Sequence, residues 1–185
     1  MIIVISGPSG VGKSTVVSRL LETMEGIEAS ISVTTRSIRG DEEDGVEYFF
    51  TSRGDFAKIR DEGQLLEWAE VHGNLYGTSE KFVDERLAEG MSVLLEIDVQ
   101  GGTKVKVRKP ESLLIFIMPP SFEELEKRLR GRDTDGDEVI RQRLANARRE
   151  MEYSSKYDYR VVNGDLDKCV GEIREIITSG RVAGR

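Results

Sequence analysis

Gly7, Gly12, Lys13 and Ser14 stand at the spacing G-x-x-x-x-G-K-S/T, inside the run Gly7, Pro8, Ser9, Gly10, Val11, Gly12, Lys13, Ser14, Thr15. Those residue types suit phosphate. Glycines let the backbone curl so that its N–H groups face phosphate oxygens, and a following helix adds its positive N-terminal end. Lys13 supplies a mobile point charge for β- and γ-phosphates, and Ser14 an oxygen ligand for Mg²⁺. The competing reading is a glycine turn that merely joins a strand to a helix. The pattern arises by chance in roughly one chain in a hundred of this size. Its place between the apolar residues 2–5 and an amphipathic stretch favours a P-loop that binds a nucleoside triphosphate.

The arginines divide by their neighbours. On predicted helices, Glu123 with Lys127, Glu124 with Arg128, Glu126 with Arg130 and Asp137 with Arg141 read as i,i+4 pairs, and Arg148 has Glu152 four residues on. Arg143 has only uncharged neighbours at those spacings. Arg132 follows Gly131 just outside a helix. Arg36 and Arg39 lie in a segment read here with Asp41 as the nearest carboxylate. These four are candidates to meet phosphate, because a planar guanidinium fork matches phosphate oxygens better than an ammonium. Taken singly, each is equally well a solvated surface arginine.

A second group gathers between residues 32 and 78: Ser32, Arg36, Arg39, Tyr48, Glu67, Tyr76 and Thr78. Hydroxyls and guanidiniums together suit a phosphate monoester, and a lone glutamate beside Trp68 can read a base. Guanine offers N1–H and its 2-amino group side by side, so one carboxylate can accept both, while O6 calls for a hydroxyl donor. Adenine has an acceptor at N1 and repels the same carboxylate. Without that context Glu67 reads as a solvated strand residue. The third group is Glu96 and Asp98 at the end of an apolar run, where a P-loop sheet commonly holds Mg²⁺, often through water. Asp98 reads alternatively as the N-cap of a following helix.

The elements that must position these groups follow from periodicity. A helix after the P-loop repeats Val16, Val17, Leu20, Leu21 and Met24 and stops at Gly26. Strands are expected over 29–33, 46–50 and 65–71, with a helix from Ser52 to about Glu62, a turn at His72-Gly73-Asn74 and a helix from Ser79 to Glu89. Residues 92–97 and 113–118 read as buried parallel strands. Ser121 caps the next helix. A further helix from Asp137 to about Ser154, a strand over 158–162 and a helix from Asp165 complete the chain, whose tail from Ser179 is expected to fray. Strands alternating with helices give an α/β fold with a parallel sheet covered on both faces. The polar, β-rich residues 32–85 read as an insert in a core of 1–31 and 86–185, and a lid is expected at about 128–146.

Composition narrows the function classes. A length of 185 residues, 38% hydrophobic and 33% charged, gives one soluble domain with room for a core. No run approaches the ~20 apolar residues that span a bilayer, and residues 2–5 are too short for a signal peptide. A net charge of −7 argues against a nucleic-acid backbone as ligand. The single Cys169 and single His72 exclude an internal disulfide and a Cys/His metal cluster, which suits a reducing cytoplasm.

Taken together these motifs resemble guanylate kinase, over Ile3 to about Ile177. They are the P-loop, Ser32-Val-Thr-Thr-Arg36 with Arg39, Gly45-Val-Glu-Tyr48, Leu66-Glu67-Trp68-Ala69 and Asn74-Leu-Tyr76-Gly-Thr78-Ser79. Further on come Ile97-Asp98-Val-Gln-Gly101, Arg128-Leu-Arg-Gly-Arg132 and Tyr157-Asp-Tyr-Arg-Val-Val-Asn163. The resemblance implies a P-loop kinase fold and Mg²⁺- and ATP-dependent phosphorylation of GMP to GDP, with dGMP left open as an acceptor. It implies Ser32, Glu67, Thr78 and Asp98 on guanine, and Arg36, Arg39, Tyr48 and Tyr76 on the acceptor phosphate. Lys13, Arg36, Arg132 and Arg143 would surround the transferring group, and Asn163 would lie on the adenine side of ATP. From charge and hydropathy no nucleic acid or membrane is expected as partner, and a monomer and a homodimer stay equally open. Ile38, Asp41 and Asp133 depart from the proline and glycines usual in the family. Closure of insert and lid over both nucleotides is expected, since water must be excluded. A peptide-binding scaffold relative usually lacks the lysine present here as Lys13, and a sugar-phosphate kinase would not require Glu67 and Trp68.

Overall fold

The computed structural model describes residues 1–71, 73–131 and 136–183, side chains beyond residue 180 excepted. In chain order the first elements are β1 (Ile2–Ser6), α1 (Lys13–Thr23), β2 (Ile27–Ala29), β3 (Ser32–Thr34) and β4 (Tyr48–Phe50). Next come α2 (Arg53–Asp61), β5 (Leu65–Val71), β6 (Asn74–Ser79), α3 (Glu80–Ala88), β7 (Ser92–Glu96) and α4 (Val99–Arg108). The last are β8 (Leu113–Met118), α5 (Phe122–Arg130), α6 (Asp137–Glu152), a 3-10 turn at Tyr153–Lys156, β9 (Tyr159–Val162) and α7 (Leu166–Ala183).

One sheet has five strands in the order β2-β7-β1-β8-β9, flanked by helices, and a second has four in the order β4-β3-β6-β5. The pairs β1/β8, β8/β9 and β2/β7 are parallel. This is the α/β architecture that the strand–helix alternation leads one to expect. By internal packing the chain forms two units, Met1–Ile2 with Gly26–Ser112, and Ile3–Glu25 with Leu113–Arg185.

In the second of these units, β1 and β8 are runs of mostly apolar, mostly buried side chains, as strands covered on both faces must be. Helix α1 turns Val16, Val17 and Leu20 inward. Unlike the helices capped by serine, it begins at Gly12 with no side-chain cap. In the other unit β5 and β6 form an antiparallel hairpin, and β6 also pairs antiparallel with β3. Phe56, Leu65 and Leu75 make its core, with Val33, Ile59 and Trp68 packed against them. Serine caps start the helices as the sequence suggests. Ser52 Oγ accepts from Asp55 N–H at 3.1 Å, Ser79 from Phe82 at 3.3 Å and Ser121 from Glu124 at 3.2 Å.

Several boundaries differ from the sequence reading. The strand expected over 29–33 is two strands that join different sheets, β2 on β7 and β3 between β4 and β6. The strand expected from Val46 starts at Tyr48, because Gly45 turns the chain at φ 82° and Val46 is 58% exposed. The helix α7 continues through Ala183, past Ser179. Asp137 pairs with Arg130 at 2.9 Å across the α5–α6 connection, not with Arg141, which reaches Glu138 at 3.6 Å. Arg148 lies over the Phe122 ring, 4.4 Å from its centre. His72 and residues 132–135, among them Arg132 and part of the expected lid, lie outside the described residues.

Candidate functional site

The loop from β1 to α1 is built to expose amides. Gly12 sits at φ 96°, a left-handed conformation that glycine adopts without strain. A side chain there would also collide, since a Cβ would lie 2.7 Å from Asn163 Nδ2. Asn163 is buried and donates from Nδ2 to the Val11 carbonyl at 2.8 Å, while its own N–H donates to Met118 O at 2.8 Å. It thus braces the loop at Val11. Lys13, the first residue of α1, folds its Nζ over the loop to the carbonyls of Gly7 at 2.7 Å and Pro8 at 3.2 Å. Ser14 and Thr15 are exposed at the start of α1. The Ser9 N–H donates to Glu150 Oε2 on α6 at 3.2 Å. An amide of this loop is therefore directed at an anionic oxygen, the property that a phosphate cradle needs. Arg143 lies half-buried on α6.

In the other unit, strand register assembles the second group. Pairing of β5 with β6 sets Glu67 opposite Thr78 and Ala69 opposite Tyr76, and β3 on β4 sets Ser32 opposite Tyr48. Residues two apart share a face, so Tyr76 and Thr78 project together. The Tyr48 and Tyr76 rings meet edge to face at 5.9 Å. Burial, then the nearby Glu96 and Tyr76, push the Tyr48 phenol above its ordinary range, so it stays a neutral donor. Trp68, next to Glu67 in sequence, belongs to the opposite face, where Arg60 and Lys104 stack on its ring at 5.4 and 4.7 Å.

Glu67 is 5% exposed and accepts from Thr78 Oγ1 at 2.8 Å. Burial pushes its carboxyl up to about 7; the Thr78 hydrogen bond opposes the shift and the charge of Asp98 adds to it. Asp98 caps α4, accepting the Gly101 N–H at 2.9 Å. The N-cap reading of Asp98 therefore describes one of its oxygens.

Arg36 has a partner that the sequence reading missed. Its guanidinium makes a two-pronged pair with Glu42, at 2.9 and 2.8 Å, and donates to Ser37 O at 2.8 Å. It is buried and lies over the rings of Tyr48 and Phe50 at 5.1 and 5.7 Å. Glu42 holds the guanidinium in its charged form and is itself held below the usual carboxylate range by Arg36. The same carboxylate accepts the Arg39 N–H at 2.9 Å, so one side chain sets both arginines. Five donors in a fork leave further N–H groups on Arg36 for a second anion. The signal available beforehand was a carboxylate six residues after an arginine in a segment rich in turn-forming residues.

Among the described residues no three His, Cys, Asp or Glu gather around a common point. Mg²⁺ bound with a nucleotide needs no such cage, because it keeps waters and takes phosphate oxygens beside one or two protein ligands. The exposed hydroxyl of Ser14, next to Lys13, fits that role. Asp98, the other candidate, is a carboxylate whose Oδ1 accepts the Gly101 N–H.

The guanylate kinase family model matches residues 1–180. The chain belongs to the guanylate kinase family. The guanylate kinase of Fusobacterium nucleatum subsp. nucleatum is 50% identical over 177 residues, covering 96% of this chain and 95% of that protein. That of Caldanaerobacter subterraneus subsp. tengcongensis is 48% identical over 177 residues, covering 96% and 86%. The crystal structure of guanylate kinase from Anaplasma phagocytophilum superposes with a TM-score of 0.81 at 37% identity, covering 97% of this chain and 85% of that one. Membership makes the chain an ATP:GMP phosphotransferase, a nucleotide kinase that forms GDP. No helix among the described residues is long and apolar enough to cross a membrane.

Proposed function

We propose that residues 7–15 hold ATP, and that Glu67 selects GMP as acceptor by reading the guanine edge with both carboxylate oxygens. The observation that carries this reading is the state of Glu67, buried, hydrogen-bonded by Thr78 and pushed up to about 7. A fold keeps so unfavourable a carboxylate for a ligand rather than for stability. Guanine N1–H and its 2-amino group replace the missing water, and the ionised form is the one that accepts both. The Thr78 proton is committed to Glu67, which leaves the Ser32 hydroxyl to donate to O6. Arg36, Arg39, Tyr48 and Tyr76 then take the acceptor phosphate.

Transfer needs no nucleophilic side chain. An oxygen of the GMP phosphate attacks the γ-phosphorus of ATP, the bond to the β-phosphate oxygen breaks, and ADP and GDP result. The protein aligns the two phosphates and offsets charge on the equatorial oxygens. Lys13 and Arg36 do so here, with Arg143 on α6 and Arg132 carried over from the family motif. Mg²⁺, held by Ser14 and with Asp98 through water, would neutralise β- and γ-phosphate charge. The buried, unreactive Cys169, whose thiol is pushed up to about 11, suits a cytoplasmic setting.

The test is ADP release with ATP and Mg²⁺ over GMP, AMP, CMP and UMP. Turnover confined to GMP is expected; comparable rates with AMP would overturn the base-reading role. Arg36→Lys should raise KM for GMP roughly tenfold or more and leave KM for ATP within twofold. Lysine cannot grip Glu42 and a phosphate through one planar fork. An unchanged KM for GMP would remove Arg36 from the acceptor site.

A further inference from the structure

Gly101 is the third residue of α4, and its backbone is helical. Glycine is disfavoured inside a helix relative to alanine, and nothing in its conformation here requires it. What requires it is space. A Cβ at Gly101 would lie 2.6 Å from Glu67 Oε2, 3.2 Å from Glu67 Cδ and 3.2 Å from Asp98 Oδ1. The other Glu67 oxygen is fixed by Thr78 at 2.8 Å. The carboxylate is therefore set at both ends, one oxygen tied to a hydroxyl and one laid against a bare Cα.

We infer that Gly101 is a specificity-determining positioning residue, whose missing side chain sets the plane in which Glu67 meets guanine. The inference rests on the reading of Glu67 as the base-reading group. A methyl group at 101 does not break the fold, because the atom it displaces is the end of a flexible side chain. It rotates the carboxylate away from the line joining N1–H and the 2-amino group. Discrimination is then lost at the amine: GMP falls toward IMP, the same nucleotide without the 2-amino group.

The experiment is Gly101→Ala, with Gly101→Ala/Glu67→Ala as second variant. KM for GMP is expected to rise roughly tenfold or more, since small misplacements of a positioning group cost that much. The ratio of kcat/KM for GMP over IMP falls with it, KM for ATP stays within twofold, and the melting temperature is unchanged or higher. In the Glu67→Ala background, where the Glu67 carboxylate is gone and only the looser 3.2 Å approach to Asp98 remains, adding Gly101→Ala changes KM for GMP less than twofold. An effect that persists undiminished in that background, an equal loss for ATP, a lost fold or an unchanged KM for GMP would each overturn the inference. Failure of the base-reading role is told apart by Glu67→Gln alone: if that variant treats GMP as the parent does, the role falls whatever Gly101→Ala shows.

Discussion

Glu67→Gln lowers kcat/KM for GMP by roughly 10- to 100-fold while KM for ATP holds, because an amide donor then faces a donor on guanine. A buried group left unpaired costs ~1–3 kcal/mol. At pH 8 the same variant is the more stable protein. The Glu67 carboxyl sits at about 7 in the fold, against an ordinary value of 4.5. Between those values the native state keeps a proton that the unfolded chain has lost. Stability of the parent therefore declines as pH rises from about 4.5 to about 7 and stays lower above that. At about 1.4 kcal/mol per pH unit the penalty reaches ~3 kcal/mol at pH 8, and glutamine never incurs it. Urea unfolding of both proteins at pH 8 and pH 4.5 measures the difference. A variant that gains equally at both pH values, or loses at pH 8, would contradict the burial account.

Lys13→Ala should lower kcat by roughly 100- to 1000-fold with the fold intact, the range typical for loss of one group facing transition-state charge. The Lys13 ammonium donates to the carbonyls of Gly7 and Pro8. The loop's shape rests instead on Gly12 and on the Asn163 brace at Val11, which the substitution leaves in place. Steady-state kinetics beside a thermal melt separate the two. A kcat within tenfold of the parent would remove Lys13 from the transferring group.

Much of the fold was legible where one local rule dominated. The strand signals at residues 65–71 and the apolar run 113–118 match β5 and β8 with the expected ends, and serines before acidic turns mark the starts of α2, α3 and α5. The helix α4 was implied only by Asp98 as a possible cap, because Gly101 and Gly102 lower its helical propensity. Gly101 serves the Glu67 approach rather than the helix. Glu42 has no mark in sequence distance, since Asp41 stands nearer to Arg36, and only the folded turn brings residue i+6 to the guanidinium. The Ser9–Glu150 contact, 141 residues apart, has no local signature at all. The division of residues 27–34 between two sheets likewise depends on partners far along the chain.

One calorimetric quantity goes straight to the ionised carboxylate: protons released when guanosine binds at pH 6.5, from heats in two buffers of different ionisation enthalpy. Guanosine avoids the titrating phosphate of GMP. With Glu67 at about 7, roughly three quarters of the free molecules are protonated at that pH. The parent should therefore expel about three quarters of a proton on binding, and Glu67→Gln almost none. Binding by the parent with no proton released, or with the same release in both proteins, would mean that guanine is held by something other than an ionised Glu67.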